Sequence, residues 1–386
     1  MKTNLKTILS SLVTAACFSI GAASTAHADH NDLFASINGG SGNGAGFIYQ
    51  YTPTGTQSTF LSSLNRPRGL AFNSAGTIYL ASTTTDGSSV FHGSILQIAP
   101  DGTTTTFATG FPDNFFLEGL ALDGTGNVFV NSSNLADTNN ITGTVFKVLP
   151  DGTVTTFGTV PAQAFGIAID SSGNVFAASA GTDRTIYKFT PAGVRSVFVG
   201  PASFTAPQGP IGLTFDGAGN LFASTGDGPG NGEILKFAPD TTKTVFATGL
   251  TNAPRGLAFD ISGNLFVAEV PPTTSGDILK FSPAGVRTTF ASGIGNPAGN
   301  GGPEYLAFKG CSGCVGPAGP AGPAGATGPA GPQGPAGSGF VTGGTLLMKQ
   351  GSPAPAGFTK LGTTQFQYKD LSSKNQVVTL DVYQKN

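Results

Sequence analysis

Between residues 30 and 310 the chain alternates short apolar and polar positions with a period of two, the pattern of half-buried strands rather than helices. SILQI (94–98), TVFKV (144–148), TIYKF (185–189), EILKF (233–237) and DILKF (277–281) are the clearest runs. Ahead of each stands a second pattern: GLAFNSAGTIYLAS (69–82), GLALDGTGNVFVNS (119–132), GIAIDSSGNVFAAS (166–179), GLTFDGAGNLFAST (212–225) and GLAFDISGNLFVAE (256–269). The leading glycines of these five copies lie 50, 47, 46 and 44 residues apart, the length of a four-stranded propeller blade.

Each unit predicts a first strand, a tight D-x-x-G-N hairpin, a second strand and a variable polar loop. The alternating third strand follows, then a hairpin built on P-D-G-T or P-A-G-V and a fourth strand. The ends of the region hold complementary fragments. Residues 32–36, 47–51 and 58–62 match second, third and fourth strands, and 305–308 match a lone first strand. The expectation is therefore an all-β, six-bladed β-propeller closed by pairing its N- and C-terminal strands, which removes the open edge.

The unit resembles the NHL-repeat and gluconolactonase-like propellers, whose blades carry the same apolar strand, Asp, Gly-Asn turn and second apolar strand. The resemblance covers about residues 30–310 and implies the fold. Such blades host hydrolases, lyases and pure binding modules alike. In the gluconolactonase-like members a calcium ion is held by Glu, Asn and Asp at the mouth of the central channel. The resemblance thus implies calcium as the candidate cofactor, with Glu118, Asn131, Asp183, Asp227 and Glu269 as candidate ligands.

The residues themselves pull the other way. Arg68, Glu118, Phe165, Ile211, Arg255 and Glu304 stand just before the six first strands and should ring the channel mouth. In a closed ring four of them run Arg255, Glu304, Arg68, Glu118, and alternating charges favour a salt-bridge belt over a cation site. Asn73, Asp123, Asp170, Asp216 and Asp260 recur in every hairpin and read as turn formers. DGPGNGE (227–233) is too short for an EF-hand and reads as a turn. His92 reads as a solvated loop residue, so no histidine-based nucleophilic arrangement is expected. Most of the 30 phenylalanines fall at repeated strand positions and read as blade packing.

Four segments follow: a signal peptide (1–28), the propeller (29–310), a collagen-like stalk (311–339) and a small β domain (340–386). The first carries Lys2, Lys6, an apolar stretch and Ala26-His27-Ala28, which predicts cleavage before Asp29 and a secreted or surface location. Cleavage leaves 17 basic against 21 acidic residues, so no nucleic-acid footprint is expected, and no later run could span a membrane. Glycine occupies every third position from Gly313 to Gly337, the register of a collagen triple helix and so of a homotrimer; a stiff polyproline linker is the other reading. Cys311 and Cys314 stand beside it and predict disulfides, within or between chains. The last segment alternates again and would bury its apolar face by trimerising, and GSPAPAGF (351–358) resembles phage tail-collar sequences.

Two functions remain open on sequence alone. One is a binding or adhesion protein whose loops, at 83–93, 132–142, 180–184, 225–232 and 270–276, meet an extracellular protein or glycan. The other is a calcium-dependent, gluconolactonase-like hydrolase acting through acids at the channel mouth.

Overall fold

The computed structural model describes residues 31–39, 43–136, 141–226, 230–270, 275–295, 301–309, 343–369 and 374–386. Asp227, both stalk cysteines, the Gly-X-Y segment and the N-terminal segment lie outside the described residues. The chain divides into two compact units, Met1–Pro320 and Ala321–Asn386.

The described residues of the first unit are all-β apart from one short 3-10 turn, Pro201–Ser203, and form six four-stranded antiparallel sheets. Five of them use consecutive strands. The remaining one takes Pro303–Phe308 from the end of the unit and pairs it with Leu33–Ile37, followed by Gly46–Tyr51 and Gln57–Leu64. No helix among the described residues is long and apolar enough to cross a membrane.

Local chemistry sets the hairpins. In the turn after Leu122 the Asp123 carboxylate accepts the backbone N–H groups of Thr125 and Asn127, both at 2.9 Å, and Gly126 supplies φ of +86°. Asp170, Asp216 and Asp260 repeat the arrangement, and Asn73 does so through its amide oxygen.

Packing at four of the six sheets follows one rule. The second-strand phenylalanine meets a fourth-strand phenylalanine of its own sheet and a first-strand phenylalanine of the next. Phe176 does this with Phe198 and Phe215, Phe222 with Phe246 and Phe259, and Phe266 with Phe290 and Phe308. Phe34 continues the series with Phe60 and Phe72, so the packing crosses the sheet that joins the two ends of the unit. Ring centroids lie 4.9–5.2 Å apart at steep angles, the edge-to-face geometry favoured by aromatic quadrupoles.

The six first strands, Leu70–Phe72, Phe115–Leu122, Ala164–Ile169, Pro210–Phe215, Ala253–Phe259 and Pro303–Phe308, touch one another in a closed cycle. Four of them shift register at an X-Gly dipeptide: Glu118-Gly119, Phe165-Gly166, Ile211-Gly212 and Arg255-Gly256. A methyl group on Gly119 would lie 2.6 Å from the Phe165 carbonyl oxygen, and one on Gly212 would lie 1.9 Å from that of Arg255. The repeated glycine is therefore required by backbone meeting backbone, not by turn conformation.

The described residues of the second unit form a three-stranded antiparallel sheet in which Asn375–Lys385 lies between Thr345–Lys349 and Phe358–Lys369.

Candidate functional site

Where the first strands converge, the X positions bring four charges together. Arg68 Nη1 lies 2.7 Å from Glu304 Oε2, Arg68 Nε lies 3.7 Å from Glu118 Oε2, and Arg255 Nε lies 3.4 Å from Glu304 Oε2. The order Arg255, Glu304, Arg68, Glu118 is that of the strands in the cycle. Glu118 and Glu304 are buried, with side chains 3% and 7% exposed. Each guanidinium also packs on a ring, Arg68 over Phe116 and Arg255 over Phe165.

Tyr305 joins this cluster. It stands where the other first strands carry Gly69, Gly119, Gly166, Gly212 and Gly256, and its hydroxyl donates to Glu118 Oε2 at 3.4 Å. The sequence reading passed over it, although the replacement of glycine in one copy of the repeat was the visible signal. Beside it runs a cavity of about 50 Å³ lined by Gly119, Gly166, Gly212 and Gly256, room for a few waters and no more.

Burial pushes the Glu118 carboxyl above its ordinary value, with Arg68 pulling in the opposite sense. Burial works against the charge on Arg68, but Glu118 and Glu304 outweigh it and hold the guanidinium firmly protonated. Burial, then the Glu118 charge, lifts the Tyr305 phenol well above its usual range. The cluster thus sets two guanidinium groups against two buried carboxyl groups and one tyrosine hydroxyl.

The other candidate ligands are used locally. Asn131 lies fully buried opposite the Glu118-Gly119 shift and donates its amide to the Gly166 carbonyl at 2.8 Å, leaving Oδ1 buried without a hydrogen-bond partner. Ser224, at the matching position, bridges the Gly212 N–H and the Arg255 carbonyl, so this position ties neighbouring first strands together. Asp183 accepts from the Tyr187 hydroxyl and from Thr185. Glu269 is buried, accepts the Asn252 N–H at 3.4 Å and lies directly across from Asp277. Burial raises its carboxyl. Among the described residues, no three acidic, histidine or cysteine side chains converge on a cation seat. Both carboxylates of the central cluster face guanidinium groups, so the residues present do not fit calcium there.

His92 departs from its sequence reading. It lies in the strand Phe91–Ile98 rather than in a loop, because the hairpin is longer than expected and its loop shrinks to 86–90. Its ring nitrogens face Asp113 Oδ1 at 2.8 Å and Asp86 Oδ2 at 3.4 Å on the surface. Hydrogen bonds that its ring donates to these carboxylates, Asp86 foremost, raise its imidazole above the usual value.

No family model and no curated protein matches the chain. Among solved structures, a protein of unknown function from Bacteroides caccae is similar at 12% identity, covering 72% of this chain and 98% of that one with a TM-score of 0.50. A putative gluconolactonase matches at 17% identity over 61% of this chain and 85% of its own, with a TM-score of 0.47. A gluconolactonase from Xanthomonas campestris matches at 15% identity over 58% and 75%, with a TM-score of 0.43. At this distance the likeness concerns architecture alone: the described residues form an all-β fold of repeated four-stranded sheets, shared with the Bacteroides caccae protein.

Proposed function

We propose that the six sheets are the blades of a six-bladed propeller sealed by its own two ends, and that this propeller is the binding head of a secreted protein. Three heads are gathered by the Gly-X-Y segment, so weak contacts with an extracellular protein or glycan act together. One observation carries the reading. The central carboxylates already face arginines, Tyr305 occupies the position that glycine holds in the other strands, and the cavity beside it holds only a few waters, so among the described residues the axis offers neither a free acid pair nor a substrate-sized space.

Binding is then left to the loops at the sheet edges. Full-length protein and a chain ending at Gly310 would be compared on arrays of glycans and matrix proteins. The full chain should bind at least ~100-fold more tightly in apparent affinity. Equal binding by the shortened chain contradicts the proposal.

A second reading is a gluconolactonase-like hydrolase, the activity carried by the names of two of the similar structures. One observation at the site favours it: Glu118 is a buried carboxyl with a raised pKa, in hydrogen-bond reach of a tyrosine hydroxyl and beside the unsatisfied Asn131 oxygen's strand. Turnover of a lactone panel that disappears in Glu118→Gln would establish this reading over the first.

A further inference from the structure

The C-terminal sheet has two unlike faces. Paired residues across an antiparallel sheet share a face, so the register assigns every side chain. On one face Tyr383 and Asp381 are fully buried. The segment between the first two strands of the sheet folds over them: the Tyr383 hydroxyl donates to the Ser352 carbonyl, and the Gly351 N–H and Lys360 both meet the Asp381 carboxylate at 2.8 Å.

Among the described residues of the same unit, none covers the opposite face. Phe366 pairs with Val378, Thr364 with Leu380, and Gly362 with Val382, which also pairs with Leu347. Leu347, Phe366, Val378, Leu380 and Val382, with Tyr368 in line, form one apolar stripe across all three strands. Leu347, Phe366, Tyr368 and Val378 are 43%, 46%, 55% and 38% exposed. A three-stranded sheet with one open apolar face is marginal in water, so this face calls for a partner.

The chain names that partner. Glycine recurs at every third position from Gly313 to Gly337, and the last of them stands only eight residues ahead of Thr345. The only structure that requires such a register is built from three chains, and it delivers three copies of this sheet to one place. We propose that the stripe is the surface through which three copies of the C-terminal sheet associate, so the sheet, not the short stalk, holds the trimer together. The inference rests on the trimeric reading above and deepens it, since none of the eight triplets from Gly313 carries a charged residue and none puts proline in the third place.

The test is sedimentation equilibrium of the full-length protein across a dilution series, beside Phe366→Glu/Val378→Glu and a control, Gln367→Glu, on the opposite face. Wild type and control should be trimers. The double variant should dissociate at a concentration at least ~100-fold higher, from the apolar area removed from the contact. Leu347→Lys, on another strand, should act in the same direction, and hydrogen exchange at residues 364–368 and 376–380 should quicken as wild type is diluted. A double variant that stays trimeric to the same dilution overturns the inference and leaves the trimeric reading standing. A monomeric wild type overturns both, and slow exchange on the stripe in that monomer would assign the face to the chain's own first unit.

Discussion

Replacing Arg68 by methionine should be among the most damaging single changes in the first unit. Its side chain is 13% exposed, and the two carboxylates it faces are 3% and 7% exposed. Arg255 pairs with Glu304 and acts on Glu118 only from a longer distance, so among the described residues Glu118 would keep the Tyr305 hydroxyl and lose its close guanidinium partner. Removing one partner of a buried ion pair costs about 3–5 kcal/mol, because the other charge stays desolvated. In a domain of this size that is roughly 6–10 °C of melting temperature, at ~2 °C per kcal/mol.

The pH dependence supplies a signature that lost packing would not. Burial already raises the Glu118 carboxyl, and without Arg68 it rises further. An acid whose folded pKa is raised contributes stability below its unfolded value, about 4.3, and loses it as pH rises through the folded value. The deficit of Arg68→Met should therefore be small at pH 4 and full at pH 7.5. Adding Glu118→Gln should recover a large part of it at pH 7.5. Guanidinium unfolding of the three proteins at both pH values measures this, and a deficit below 1 kcal/mol, or one equal at both pH values, refutes the reasoning.

Gly119→Ala should cost about 2 kcal/mol in the same assay, because the new methyl meets a backbone carbonyl at 2.6 Å, whereas Gly124→Ala, in open space, should be near neutral. Glu269→Gln should stabilise the protein by about 1 kcal/mol at pH 7 and by nothing near pH 4. The raised Glu269 carboxyl is costly only when charged, and Asp277 lies directly across the ladder. The His92 imidazole should titrate by NMR above its ordinary value and fall back in Asp86→Asn; an unchanged titration would show that the carboxylate contacts do not form in solution.

The repeat unit was legible because its signals are local. Strand alternation, the Asp carboxylate that closes each hairpin on its own backbone, and the glycine that follows require nothing beyond a few neighbouring residues. The order of Arg255, Glu304, Arg68 and Glu118 was legible too, since it follows from counting strands around a cycle. What escaped depends on distance through space. The glycine at the head of each unit marks the repeat in sequence without a stated role, and only the approach of neighbouring first strands shows why it is needed. Tyr305 escaped for the same reason, since its role is defined by Glu118, 187 positions away. His92 was misplaced because polar Thr83–Thr85 and Phe91–Gly93 look like loop, yet they pair rung by rung. Asn131 has the side chain of a ligand, and its use as a tie between first strands follows only from the neighbouring sheet's carbonyl.

The central claim is that arginines, not a metal ion, neutralise the carboxylates at the heart of the first unit. Thermal unfolding of the full-length protein across a calcium titration at pH 7.5 tests it most directly. The melting temperature should stay constant to millimolar calcium. Binding at the cluster would raise stability by about 2.7 kcal/mol at a hundredfold excess over Kd. A rise of ~5 °C that is abolished in Glu118→Gln would contradict the account.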